Sequence, residues 1–182
     1  MRAACPLRWL HGEPSARLRL DASHKIVLHL GGLYGDARLA LERPAVAHTR
    51  LSEDARARLV LENDERWPLA EVLRVAQRIG APVVFDAFHH ELSPSLPELD
   101  VRELVLRAGE TWTGSDGRQE VHFSTQAPGR RRGAHADEID PEAFARFADA
   151  VEGLPLDCLL EVKDKEQSVL RARDLLASRA PV

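Results

Sequence analysis

The chain has 182 residues, 44% hydrophobic and 30% charged, the composition of one ordinary soluble globular domain. A net charge of −4 at pH 7 excludes a protein held on nucleic acid by charge alone, so any such binding has to come from a local patch. Cys5 and Cys158 have neither disulfide-framework nor zinc-knuckle spacing and no apolar run approaches membrane-spanning length, so the expected setting is reducing, the cytoplasm, with no membrane partner.

Residues 1–20 show no clear period, are broken by Pro6, Gly12 and Pro14, and read as an irregular leader; residues 21–182 are the expected folded part. From Lys25 the pattern sharpens. Ile26 to Leu30 is a compact apolar strand closed by Gly31-Gly32, and Asp36 to Arg43 starts a helix. Pro44 must kink or end that helix, because an interior proline costs about 3 kcal/mol. Ser52 caps a short helix from Glu53 to Ala57, which feeds a second strand, Arg58 to Glu62. In the next helix Pro68 takes the N1 position, Leu69, Val72, Leu73, Ala76 and Ile79 share one face, and Gly80 fits C′.

Pro82 then opens Val83-Val84-Phe85, a strand suited to cover on both faces, which delivers Asp86-Ala87-Phe88-His89-His90 where such a strand emerges from a parallel sheet. Carboxylate oxygen and neutral imidazole nitrogen together suit Zn²⁺, Mn²⁺ or Fe²⁺. Taken alone, Asp86 serves equally as the cap of a following loop and the histidines as solvated groups. A loop with Pro94 and Pro97, a helix from about Leu99 to Ala108 and a turn at Thr113 to Gly117 lead to a fourth strand, Glu120 to Ser124. Its alternation puts Glu120, His122 and Ser124 on one face. A long basic loop, Gln126 to Asp137, precedes a helix opened by Asp140-Pro141 and ended by Gly153. The fifth strand, Cys158 to Val162, runs into Lys163-Asp164-Lys165 and a last helix to about Ser178.

The unit is strand then helix, five times. Strand-end polar residues recur at His29, Glu62, Asp86, His122 and Glu161, with separations of 33, 24, 36 and 39 residues, about the length of one βα unit. In a parallel α/β barrel such residues converge on one mouth, so groups far apart in sequence come within reach of one metal cluster.

The residues at these strand ends resemble the UV damage endonucleases, metal-dependent DNA repair enzymes with a fold similar to endonuclease IV and xylose isomerase. The resemblance lies in His29-Leu30-Gly31-Gly32 with Tyr34-Gly35-Asp36, in Leu59-Val60-Leu61-Glu62-Asn63-Asp64-Glu65 and in Phe85-Asp86-Ala87-Phe88-His89-His90. It continues in Val121-His122-Phe123-Ser124-Thr125-Gln126, Pro128-Gly129-Arg130-Arg131-Arg132-Gly133-Ala134-His135 and Leu160-Glu161-Val162-Lys163-Asp164-Lys165. It implies a partial (β/α) barrel of about five of eight units, in which His29, Glu62, Asp86, His89, His122, His135 and Glu161 ligate a manganese-type cluster of two or three ions. Glu62, Asp86, His122 and Glu161 are the implied catalytic set. The implied reaction is hydrolysis of the phosphodiester 5′ of a UV photoproduct in double-stranded DNA. Arg130, Arg131 and Arg132 are the candidates to hold phosphates beside the metals, with Lys163 and Lys165 as weaker ones.

The chain departs from that family in three ways. A complete barrel takes about 250 residues and eight strands, so the first three strands, with two further histidine ligands and a Gln-Tyr lesion probe, have no counterpart. Glu120 stands where the family has a carbamylated lysine that reaches the metals, and is a possible metal-side residue. Pro44 interrupts the helix after the first strand. A truncated chain is expected to be inactive or weakly active, and another chain could complete its barrel. The rivals are a sugar isomerase or epimerase of the same barrel class, for which a triple-arginine loop has no obvious task, and a non-catalytic remnant. Trp9, Trp67 and Trp112 are available to stack on bases, although indole more often packs.

Overall fold

A computed structural model of the chain describes residues 20–21, 23–32 and 37–179. Ile26–His29 (β1), Leu59–Glu62 (β2), Val83–Asp86 (β3), Gln119–Phe123 (β4) and Leu156–Leu160 (β5) form one sheet in the order β1-β2-β3-β4-β5, with every pair parallel. The helices are Ala37–His48 (α1), Glu53–Arg58 (α2), Leu69–Ile79 (α3), Ala87–Leu92 (α4), Val101–Gly109 (α5), Pro141–Ala150 (α6) and Glu166–Arg179 (α7). Because spatial order follows chain order, successive crossovers run the same way and stack their helices on one face. The other face becomes concave, and the fold is α/β, a partial (β/α) barrel.

Strand alternation divides the side chains between the two faces. Leu59, Leu61, Val83, Phe85, Val121 and Phe123 join Val72 and Val75 of α3, Leu104 and Val105 of α5, Phe144 and Phe147 of α6 and Ala172 of α7 in one apolar core. Val60 and Val84 are fully buried yet stand outside that core, on the concave side. The N-terminal end of the sheet is held across the curve: Lys25, just before β1, places Nζ 2.8 Å from Asp116 before β4, 3.2 Å from the Ala57 carbonyl and 5.7 Å over the Trp112 ring.

Five local expectations need correction. Pro44 neither ends nor breaks its helix: α1 runs through it to His48, docked on α3 by two hydrogen bonds from Arg78 to Glu42, 2.7 and 2.6 Å, and by Leu41 against the core. The stretch after Asp86 is the helix α4 and not a loop, because Asp86 itself caps it by accepting from the His89 N–H at 2.5 Å. Arg58 ends α2 instead of starting β2, buried against Asp54 and the Leu20 and Asp21 carbonyls. Helix α5 starts at Val101, where Asp100 and Glu103 form a capping box. Strand β5 lies two residues earlier than expected, so Glu161 follows it, although the Glu161 N–H still donates to the Phe123 carbonyl at 3.0 Å and extends the ladder.

Trp67 and Trp112 pack. The Trp67 indole donates to the Gly31 carbonyl at 2.6 Å and that of Trp112 to the Val83 carbonyl at 2.8 Å. Trp9, Cys5 and the expected leader lie outside the described residues, apart from Leu20 at its end.

Candidate metal centre

The sheet register sets the site. His29 is paired with Glu62, and Asp86 with His122, so side chains from neighbouring strands leave the same face at the same height. Glu62 is in register with Val84, which puts Asp86 two residues farther along, where a helix rather than more strand receives it. At the mouth, three groups of side chains have their ligand atoms within 4.8 Å of one another: His29, Glu62 and His89; His89, His135 and Glu161; and Glu62, Asp86, His122 and Glu161. Each pair of groups shares one residue, namely Glu62, His89 or Glu161. All seven residues singled out as candidate ligands therefore come together, and they do so as an interlocked set.

Neighbouring groups hold several of these side chains in place. Glu62 Oε2 lies 2.8 Å from His29 Nε2 and its Oε1 2.7 Å from His122 Nδ1, so the carboxylate spans two imidazoles. Asn63, fully buried, uses both amide atoms on the Asp86 backbone, donating to its carbonyl and accepting from its N–H, each at 2.9 Å. That pair continues the sheet ladder by a side chain and fixes the height of Asp86. His135 sits on an isolated antiparallel bridge with Gln126 and has Nδ1 3.1 Å from the Glu161 carbonyl.

The electrostatics and the unpaired atoms fit a cation. Burial pushes the Asp86 carboxyl up to about 7, and the negative charges of Glu62 and Glu161 push the same way. For His122, burial opposes charge, but hydrogen bonds to Glu120, Glu161 and Glu62 outweigh it and push the ring up from its ordinary value. Burial likewise raises Glu62, yet His122 and His29 bring it well below the usual carboxylate range. Glu161 is lowered by its contact with His122, and His29 raised by Glu62. Asp86 Oδ2 and His89 Nδ1 are buried with no hydrogen-bond partner. A buried polar atom without a partner is costly by about 1–3 kcal/mol, and oxygen and imidazole nitrogen are ligands that a divalent transition ion accepts.

A family model described as UV-endonuclease UvdE matches residues 9–181. The chain belongs to that family. The UV DNA damage endonuclease of Clostridium perfringens is 36% identical over 167 residues, which are 88% of this chain and 39% of that protein. The UV-damage endonuclease of Schizosaccharomyces pombe is 32% identical over 178 residues, 87% of this chain and 28% of its own length. The crystal structure of SacUVDE superposes with a TM-score of 0.85 at 30% identity, over 94% of this chain and 56% of that one. The chain thus spans about half or less of the UvdE proteins it matches here. The match begins at residue 9, inside the stretch expected as a leader.

The remaining candidates lie around this centre. Glu120 shares the concave face with His122, as alternation predicts, but its carboxylate goes to His122 Nε2 at 2.9 Å and enters none of the three groups. Arg130, Arg131 and Arg132 are exposed on a loop beside His135, with Arg132 donating to the Leu92 carbonyl. Lys163 is tied to Asp137, which leaves it less free for a phosphate, while Lys165 is exposed with a left-handed backbone, φ 50. Sequence reasoning missed Asn63, Asp64 and Glu65 as supports. Asp64 Oδ2 is 3.6 Å from His29 Nδ1, and Glu65 Oε2 is 3.6 Å from His89 Nδ1. Glu65 also packs on Gly133, at φ 81, where a Cβ would collide with its carboxylate. The signal was present as three polar residues directly after a strand-end carboxylate, but nothing in the sequence distinguishes them from a solvated turn.

Proposed function

We propose that this chain is the metal-binding portion of a DNA repair endonuclease that hydrolyses the phosphodiester 5′ of UV photoproducts in double-stranded DNA. One observation carries the reading. In a UvdE-family chain, seven His, Asp and Glu side chains from five strand ends form three groups that share a residue pairwise. His29, Glu62, Asp86, His89, His122, His135 and Glu161 would hold two or three divalent ions, Mn²⁺ foremost. Bound there, such ions supply hydroxide from water near neutral pH and neutralise charge on the attacking and leaving oxygens.

The chain's own groups supply the rest. Glu62, His89 and Glu161 each belong to two groups, so they would be the residues shared between neighbouring ions. Asp86, nearly fully buried and fixed by Asn63, sets the depth of the site. Arg130 and Arg131, exposed beside His135, reach toward the phosphates flanking the scissile bond, with Arg132, Lys163 and Lys165 as outer contacts. Residues 21–182 form the metal-binding unit. Among the described residues β1 and β5 each have a strand neighbour on one side only, and another chain completing the barrel would pair there. The exposed, free Cys158 suits a reducing compartment, and we place the protein in the cytoplasm. No described helix is long and apolar enough to cross a membrane.

The test is nicking of UV-irradiated supercoiled plasmid with Mn²⁺. The 182-residue chain is expected to nick irradiated plasmid only, to stop on addition of EDTA, and to work well below the rate of a full-length relative. Equal nicking of unirradiated plasmid, or nicking that survives EDTA, overturns the reading.

A further inference from the structure

Glu120 lies near the start of β4, two residues before His122, and strand alternation turns both side chains to the concave face. Its Oε1 is 2.9 Å from His122 Nε2. The other ring nitrogen, Nδ1, is 2.7 Å from Glu62 Oε1 and 3.3 Å from Glu161 Oε1. The two nitrogens of an imidazole point away from each other, so the ring itself stands between Glu120 and the candidate ligands Glu62 and Glu161. His122 is 2% exposed, so water offers its Nε2 no alternative partner. On the next strand Asp157 is in register with Glu120 but is engaged by Arg118 at 3.5 Å, which leaves Glu120 as the carboxylate on that nitrogen.

We propose that Glu120 is a positioning residue that accepts a hydrogen bond from the Nε2–H of His122 and so presents the Nδ1 lone pair to the cation. The inference rests on the metal reading of this site and adds to it a division of labour among the three carboxylates around His122: Glu62 and Glu161 belong to the ligand set, Glu120 stands behind a ligand. A neutral imidazole carries one proton, and the carboxylate decides which nitrogen keeps it. Without Glu120 the proton is free to move to Nδ1, where it donates to Glu62 and blocks the ion. Partners of this kind also fix ring orientation and raise ligand basicity, and their loss typically weakens metal affinity by about 10–100-fold.

Zn²⁺ is a suitable probe because it is diamagnetic and accepts the same donors. Calorimetric titration of the full chain and of the Glu120→Gln, Glu120→Ala and His122→Ala variants would be combined with ¹⁵N–¹H correlation of the His122 ring in the Zn²⁺-loaded protein. The expected result is a roughly 10–100-fold weaker affinity in E120A with the same number of ions bound, and a loss of a few-fold only in E120Q, whose amide oxygen still accepts. His122 should show the Nε2–H tautomer in the parent chain and a mixture in E120A. One ion fewer in E120A would make Glu120 a ligand and overturn the proposal. Unchanged affinity and tautomer in both Glu120 variants would show that it does not act on the ring. Parental Zn²⁺ binding by H122A would take His122 out of the ligand set and overturn the proposal, whereas no Zn²⁺ binding by the parent chain would remove the metal reading itself. E120Q, of the same shape as the parent, keeps the comparison open if E120A folds poorly.

Discussion

The carboxyl group of Asp86 divides its two oxygens between two tasks. Oδ1 caps α4 through the His89 N–H at 2.5 Å, and Oδ2, buried and without a partner, faces the ligand group of Glu62, His122 and Glu161. Burial raises this carboxyl to about 7 from an ordinary value of 3.8. Between those values the folded chain keeps a proton that the unfolded chain has lost. With metal stripped away, stability therefore falls as pH rises from about 4 to about 7, and the full penalty holds above that. Asparagine retains the capping oxygen and removes the charge. Asp86→Asn in EDTA is expected to be more stable than the parent by about 2–4 kcal/mol at pH 8 and nearly equal to it at pH 4. In Mn²⁺ titrations the same variant should bind at least about tenfold more weakly, or with one site lost. Urea denaturation at the two pH values checks the first half. A variant less stable than the parent at pH 8 in EDTA would mean that the carboxylate is not held against its own desolvation.

At the scale of elements, the two ends of the sheet do different work. The C-terminal ends carry the ligands, while the N-terminal end is closed by Lys25, whose side chain is 1% exposed and bridges Asp116 from before β1 to before β4. Those strands are not neighbours, so the pair ties the N-terminal ends of β1 and β4 together at the end of the sheet opposite the ligands. Breaking a buried ion pair by removing one partner costs about 3–5 kcal/mol. Lys25→Ala should lower the urea-derived stability by that order and leave Zn²⁺ affinity within a few-fold, and adding Asp116→Asn should recover part of the loss. A loss below about 0.5 kcal/mol would demote the pair to a surface contact.

The same elements show what the sequence made legible. Short apolar runs ending in His, Asp or Glu located the mouths of β1, β2 and β3, because a buried strand must be apolar until it surfaces. Strand β5 was placed two residues late because, among the described residues, it is an edge strand, and Leu156-Asp157-Cys158 mixes polar and apolar residues. Helix α4 escaped notice because six residues are too few to show a period and its cap is also a candidate ligand. Lys25 and Asp116 are 91 positions apart, and a pair at that distance leaves no local trace.

For the whole molecule, the candidate ligands come from every strand end: His29 on β1, Glu62 on β2, Asp86 and His89 around β3, His122 on β4, His135 on the loop that follows β4 and Glu161 after β5. An unfolded chain has no such set, since the residues are separated by up to 132 positions, from 29 to 161. Metal binding is then linked to global folding rather than to one loop. At a free Mn²⁺ concentration about 100 times the dissociation constant, one site adds about 2.7 kcal/mol. For a chain of this size each kcal/mol moves the melting temperature by about 2–4 °C, so a rise of roughly 5–10 °C is expected per site. The rise should reverse with EDTA. It should also shrink toward pH 5, because protons compete for the imidazoles and because Asp86, raised to about 7, gives up its proton less readily there. In H29A the shift should become smaller, and in E161A, which removes a residue shared by two groups, smaller still. Calorimetric scans of the three proteins with Mn²⁺ and with EDTA measure all of this at once. A melting temperature indifferent to metal at pH 8 would mean that the seven side chains meet without holding an ion.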